Sequence, residues 1–267
     1  MLSLLSLAPI FKAFIALIFS GISFPLCGAM VLRMDLVPLR YALMHGVILG
    51  GAIALALEIP QLPIIILVNL IVVALIVKIP TSNSFSSAAA MVFTMGLASL
   101  LMHTFNVPAK DSLQLLWGSP FALSYLDISI LILLTFVVLI YLFFNFNNVT
   151  AIFFDKSIAK SLGINVNFHY NFMVMIIALC IALAMRLIGA LLIDALLILP
   201  VLIATRLSKG TKTLFILSSG FGLLLALLGF FTTIYFDIPL SATIAITAVL
   251  IYAAISIINK FKKGIIK

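Results

Sequence analysis

YNFMVMIIALCIALAMRLIGALLIDALLILPVLIAT, residues 170–205, is apolar along nearly its whole length and carries two charges, Arg186 and Asp194. A hydrocarbon core about 30 Å thick is crossed by roughly 20 helical residues. This run is therefore too long for one crossing, and Arg186 with Gly189 marks a tight turn between two, near residues 170–185 and 188–205. The same reading outward from it predicts spans near 9–32, 41–57, 62–78, 86–104 and 126–147 on the N-terminal side, and 213–233 and 239–259 on the C-terminal side. The fold class is an all-α integral membrane protein, a polytopic bundle of about nine transmembrane helices.

Composition supports the same class. Of 267 residues, 65% are hydrophobic and 8% charged, against about 25% charged in soluble domains, and the mean hydropathy is +1.40. A transmembrane barrel shows instead short alternating segments of about 10 residues, and none are present. No period of 20–50 residues repeats, so residues 1–267 read as a single transmembrane domain. The opening MLSLLSLAPIFKAFIALIFSG lacks a basic segment before its apolar stretch and is expected to be mature sequence. Cys27 and Cys180 each lie within an apolar run, where a small hydrophobe packs without redox chemistry.

The net charge of +8 sits between the apolar runs rather than in a soluble patch, which excludes nucleic acid as the natural partner and makes the charge a topology signal. With an odd number of spans the termini face opposite sides. Placing Lys260, Lys262, Lys263 and Lys267 in the cytoplasm also places Arg33, Arg40, Lys78, Lys156, Lys160, Arg206, Lys209 and Lys212 there. Lys12, Lys110 and Arg186 alone remain outside, a strong positive-inside bias. The N-terminus is expected outside and the C-terminus in the cytoplasm of a multi-pass cell-membrane protein.

Two connections are long enough to carry structure. The outer one, residues 105–125, holds Pro108, Trp117, Gly118 and Pro120. Within the inner one, FFDKSIAKSLG reads as a short amphipathic helix near 153–163, with Phe154, Ile158 and Leu162 at i, i+4 and i+8 and Gly163 as its terminator. An apolar stripe on such a helix either lies on the bilayer or docks into a partner.

The chain has no phosphate-binding glycine-lysine loop, paired-cysteine metal cluster or serine elbow, so an enzymatic role finds no support. The informative residues are the polar ones within spans, since a carboxylate at a helix centre costs about 2.5–3.5 kcal/mol on the insertion scale. Asp194 in GALLIDALLILP is the clearest, and is either a functional intramembrane acid or a hydrogen bond to a neighbouring helix; Pro200 further along frees backbone carbonyls nearby. His45 in RYALMHGVILGG is either a metal ligand or a helix–helix hydrogen bond, with Gly46, Gly50 and Gly51 permitting close approach. Glu58, His103 and Asp237 fall at outer ends of spans, where polar residues are cheap; the functional alternative is an access funnel for a cation. His169 reads as solvated or as a helix start, and Met91, Met95 and Met102 as packing residues.

MRLIGALLIDALLILPVLIATRL resembles a span of the permease subunits of ATP-binding-cassette importers for zinc and manganese. VLRMDLVPLRYALMHGVILG, LQLLWGSPFALSYLDI, FFDKSIAKSLGI and YFDIPLSATIAI also match, in the family's order over nearly the whole chain. The resemblance implies a non-catalytic permease with a divalent transition metal ion (zinc, manganese or iron) as cargo and no tightly bound cofactor. It also implies three partners: a cytoplasmic ATP-binding-cassette ATPase, a second permease subunit and an extracytoplasmic metal-binding protein. The segment FFDKSIAKSLGI then corresponds to the coupling helix that meets the ATPase, with Asp155, Ala159, Leu162 and Gly163 as contacts.

One departure from the family pattern matters. The family's early motif places an aspartate four residues before its histidine, and here Tyr41 precedes His45. Asp194, where the family usually has an uncharged residue, is expected to supply the missing carboxylate, giving His45 and Asp194 as the metal pair. Two other readings stand beside this one. The first is a proton- or sodium-coupled secondary carrier using Asp194, for which no inverted repeat is visible; the second is a non-transporting scaffold.

Overall fold

A backbone surrounded by lipid must satisfy its own N–H and C=O groups, and an unbroken helix does so within one segment. The computed structural model describes residues 7–78, 83–108, 120–189 and 193–265; within these, nothing is described of the side chains of residues 77, 78, 83, 84, 186–188, 194 and 260–265. The described residues form eleven α-helices, one 3-10 turn at Pro120–Ala122 and no strand. The helices are α1 (Ala8–Arg33), α2 (Val37–Ala56), α3 (Gln61–Lys78), α4 (Asn83–Thr104), α5 (Tyr125–Phe154), α6 (Lys156–Ser161), α7 (Val166–Ile188), α8 (Ile193–Leu197), α9 (Leu199–Leu207), α10 (Thr211–Phe236) and α11 (Leu240–Ile265). Seven of them, α1, α2, α4, α5, α7, α10 and α11, hold stretches long and apolar enough to cross a membrane. Gln61–Ile76 and Ala195–Leu207 are shorter apolar segments.

The span expected at 188–205 is interrupted. Helix α7 runs on to Ile188 and stops where Gly189 adopts φ +82, a left-handed conformation that costs glycine nothing. Beyond it, α8 is separated from α9 at Ile198, and Pro200 occupies the first turn of α9. Proline brings no N–H, so the carbonyl of Leu196 loses the bond that a continuous helix would give it.

The span expected at 126–147 is longer, reaching Phe154, with non-helical angles at Asn145 (φ −114, ψ 17). A capping box starts this helix: Ser124 N and Oγ both donate to Asp127 Oδ2 at 2.8 Å, while Asp127 N donates back to Ser124 Oγ.

Packing divides the chain into two compact units, Met1–Ala29 with Pro120–Thr135 and Leu191–Lys267, and Met30–Ser119 with Phe136–Ala190. In the first, small residues let backbones approach, as is usual where helices meet in a membrane. Gly28 lies against the backbone carbonyl of Leu197, leaving no room for a Cβ, and Gly222 faces Pro25 in the same way. Phe14 packs on Phe230 with ring centroids 5.1 Å apart. Arg206 Nη2 donates to the Tyr252 hydroxyl at 3.0 Å and Asn259 Nδ2 donates to Arg206 O at 3.1 Å, fastening the end of α9 to α11.

In the second unit α2 is the central element, packed against α3, α4 and α7. Gly50 brings α2 to within 2.7 Å, measured from an ideal Cβ, of the Ile65 Cα on α3. Leu49, Ala52 and Ala98 form the α2–α4 core, with Met102 packed on it. Cys27 and Cys180 are fully buried. Met95 is exposed on α4.

Candidate functional site

Most of α2 is covered, but Tyr41, His45 and Ile48 follow one another at helical spacing on a stripe that is open or half-open. The His45 Nδ1 lies 2.8 Å from the Tyr41 carbonyl oxygen, one turn earlier. A carbonyl only accepts, so Nδ1 carries the proton and donates. The lone pair then resides on Nε2, which projects from the ring's far edge. This is how proteins prepare a metal-ligating imidazole, with one nitrogen tied to the backbone and the other left as a donor to the metal. Tyr41 itself supplies no carboxylate; its ring is covered by the guanidinium of Arg40 at 4.3 Å, and Arg40 is 3% exposed.

The residue after His45 has a second polar neighbour. A Cβ at Gly46 would collide with Oδ1 of Asn69, which stands mid-span on α3 and is 1% exposed. Among the described residues, neither the oxygen nor the nitrogen of that amide has a hydrogen-bond partner. A buried unpartnered amide is rare. Asn69 was within reach of sequence reasoning, because ILVNLIVV places a lone polar side chain in an apolar run, the same signal that singled out Asp194.

Asp194 belongs to α8, and its side chain lies outside the described residues. Lys78 and Arg186 share that limit, and Lys110 and Trp117 fall in the segment 109–119, which is not described. Among the described residues no three His, Cys, Asp or Glu side chains stand close enough to hold a metal ion.

Glu58, His103 and Asp237 are all exposed at helix ends. Glu58 and Asp237 adopt left-handed angles, φ 55 and φ 53, Glu58 just beyond the Leu57 cap of α2 and Asp237 directly after α10. Both therefore take the position that ends a helix, where glycine and asparagine are more usual.

The short helix expected near 153–163 is present and tighter. Phe154 is the last residue of α5, and Asp155 caps α6, accepting from Ser157 N at 2.7 Å and Ile158 N at 2.9 Å. Gly163, at φ +78, follows the last turn as the left-handed terminator. Ala159 is fully buried, whereas Phe154 (81%), Ile158 (46%) and Leu162 (68%) remain exposed. The apolar stripe is thus uncovered by the described residues.

His169 is a helix-start residue, in the first turn of α7, but it is not solvated. It is 7% exposed and bonded through both ring nitrogens, to Tyr141 and Asn148. Those partners are 28 and 21 residues away, which no local pattern reveals.

Comparison with known proteins fits this architecture. The manganese import system permease protein ScaB of Streptococcus gordonii is 27% identical over 244 residues, covering 90% of this chain and 88% of that protein. The high-affinity zinc uptake system membrane protein ZnuB of Buchnera aphidicola is 24% identical over 222 residues, covering 79% and 82%. A chain in the structure of PsaBC from Streptococcus pneumoniae in complex with Fab superposes with a TM-score of 0.81 at 23% identity, covering 94% of this chain and 92% of that one, which shows the same fold. The ABC 3 transport family matches residues 6–259. With that match spanning nearly all of its length, the protein is a member of the ABC 3 transport family.

Proposed function

We propose that the chain is the membrane permease of an ATP-dependent importer for a divalent transition metal ion: zinc, manganese or iron. The observation that carries this reading is the family match over residues 6–259, joined by similarity to a manganese import permease and a zinc uptake membrane protein along most of the chain. The geometry of His45 supports it, since Nε2 is left as a donor on an open stripe of an otherwise covered helix.

In this reading the seven long spans and the two shorter apolar segments make nine crossings. The N-terminus lies outside and the C-terminus in the cytoplasm of the cell membrane, following the lysine and arginine bias. The open stripe of α2 faces the ion path, completed by a second permease subunit. Asp194 supplies the carboxylate that Tyr41 does not, beside His45. Glu58, His103 and Asp237 form the outer approach from an extracytoplasmic metal-binding protein. Asp155, Ala159, Leu162 and Gly163 form the coupling helix that meets a separate cytoplasmic ATPase, and the ion moves by alternating access as hydrolysis in that partner shifts the permease between outward and inward states.

The test is uptake of zinc, manganese and iron, each as a radioisotope, in cells expressing the chain with its ATPase. Wild type is compared with His45→Ala and Asp194→Asn at matched membrane abundance. Mutating even the groups that hydrogen-bond to metal ligands typically costs 10- to 100-fold in metal affinity, so with a ligand itself removed uptake of one ion is expected to fall about tenfold or more in both variants. Unchanged uptake in both removes these residues from the ion path.

A further inference from the structure

A cluster of polar side chains joins α5 to α7. The Tyr141 hydroxyl lies 3.0 Å from His169 Nδ1, and Asn148 Nδ2 lies 3.4 Å from His169 Nε2. The amide nitrogen only donates, so Nε2 accepts and Nδ1 carries the proton that is given to the Tyr141 oxygen. A single neutral imidazole thereby bridges two residues of α5, with Tyr141 6% and His169 7% exposed. Between those two residues stands Asn145, where α5 departs from helical angles. Its own Nδ2 donates to the Tyr141 carbonyl at 3.3 Å, taking up a backbone acceptor at the break.

The position of this bridge gives it a task. A helix interrupted at one residue bends there under load, and everything beyond Asn145 leads directly into α6. His169 grips α5 on both sides of the break, once before it and once after. Phe172 packs tilted against Tyr141 with ring centroids 4.6 Å apart, and Phe168 packs against His169 at 5.4 Å. At the other end, Lys156, the first residue of α6, lies 4.4 Å over the ring of Tyr170. The start of α7 thus holds both the broken part of α5 and the head of α6.

We propose that Tyr141, His169 and Asn148 form a clamp of positioning residues that stiffens the break in α5, so that movement of α6 reaches the spans of α5 and α7 instead of being absorbed at Asn145. This rests on the reading of α6 as the helix that meets the ATPase. None of the three touches the ion; they act through the helices that they hold.

The experiment reconstitutes the permease with its ATPase in liposomes and measures metal ions transported per ATP hydrolysed, together with ATPase co-purification. The variants are Tyr141→Phe, Asn148→Leu, His169→Ala and His169→Gln. Tyr141→Phe removes one oxygen and keeps the ring on Phe172, so it carries the test alone if His169→Ala fails to accumulate. The clamp predicts normal co-purification and ATP hydrolysis within about twofold of wild type, since none of these changes alters the exposed residues Ile158 of α6 and Leu162 at its end. It also predicts ions per ATP reduced at least threefold in Tyr141→Phe, with partial recovery in His169→Gln, which restores a donor and an acceptor. An unchanged ratio in Tyr141→Phe overturns the clamp. Leu162→Glu separates the two ideas: if it leaves co-purification intact, the docking role of α6 fails, whatever the clamp variants do.

Discussion

Asn69 and His45 are side chains whose surroundings packing alone does not explain. An amide left without partners in an apolar interior carries a penalty of about 1–3 kcal/mol, and replacing it by an apolar group of the same shape is neutral or stabilising. Asn69→Leu is therefore expected to leave the thermal midpoint in detergent unchanged or raised; a fall of several degrees would mean that the amide has a partner in the assembled transporter. Gly28 carries the opposite expectation. A methyl there would meet the Leu197 carbonyl rather than a movable side chain, so Gly28→Ala should destabilise by about 1–3 kcal/mol or more, visible as a lower midpoint. His45 was legible from its place in an apolar run, but the tautomer that leaves the lone pair on Nε2 came only with the Tyr41 carbonyl distance. Asn69 was legible by the same rule and Tyr141–His169 was not, because its partners are joined only through folding.

At the scale of elements, hydrophobic length located the long spans to within a few residues, and a glycine marked the end of α7. It failed where polarity and helicity part company. Asn145, Asn147 and Asn148 read as the end of a span, yet α5 continues through them because a helix beyond the apolar zone needs only its backbone bonds. The interruption between α8 and α9 lies inside uninterrupted apolar sequence, where Pro200 was the sole warning. Helix α6 has six residues, too few to hold together unaided, so its cap at Asp155 matters more than in a long helix. Asp155→Ala removes the acceptor of two backbone N–H groups, those of Ser157 and Ile158, a loss of about 1 kcal/mol. Co-purification of the ATPase should fall several-fold while the permease's own thermal midpoint stays put. Equal recovery of the ATPase would show that α6 keeps its shape without the cap.

For the whole molecule, charge and hydropathy pointed to a multi-span membrane protein, and the ordered set of matching stretches along the chain pointed to its family. In the proposed function, the energy for transport comes from the partner ATPase. The account rests most heavily on ATP as the energy source for metal import, so the deciding measurement is uptake of manganese and zinc into liposomes holding the permease and its ATPase, supplied with the loaded metal-binding protein. With ATP on the ATPase side, the ion should accumulate in the compartment that faces the ATPase, and His45→Ala should abolish that accumulation. Accumulation without ATP, driven by a proton or sodium gradient across the same membrane, would contradict the account.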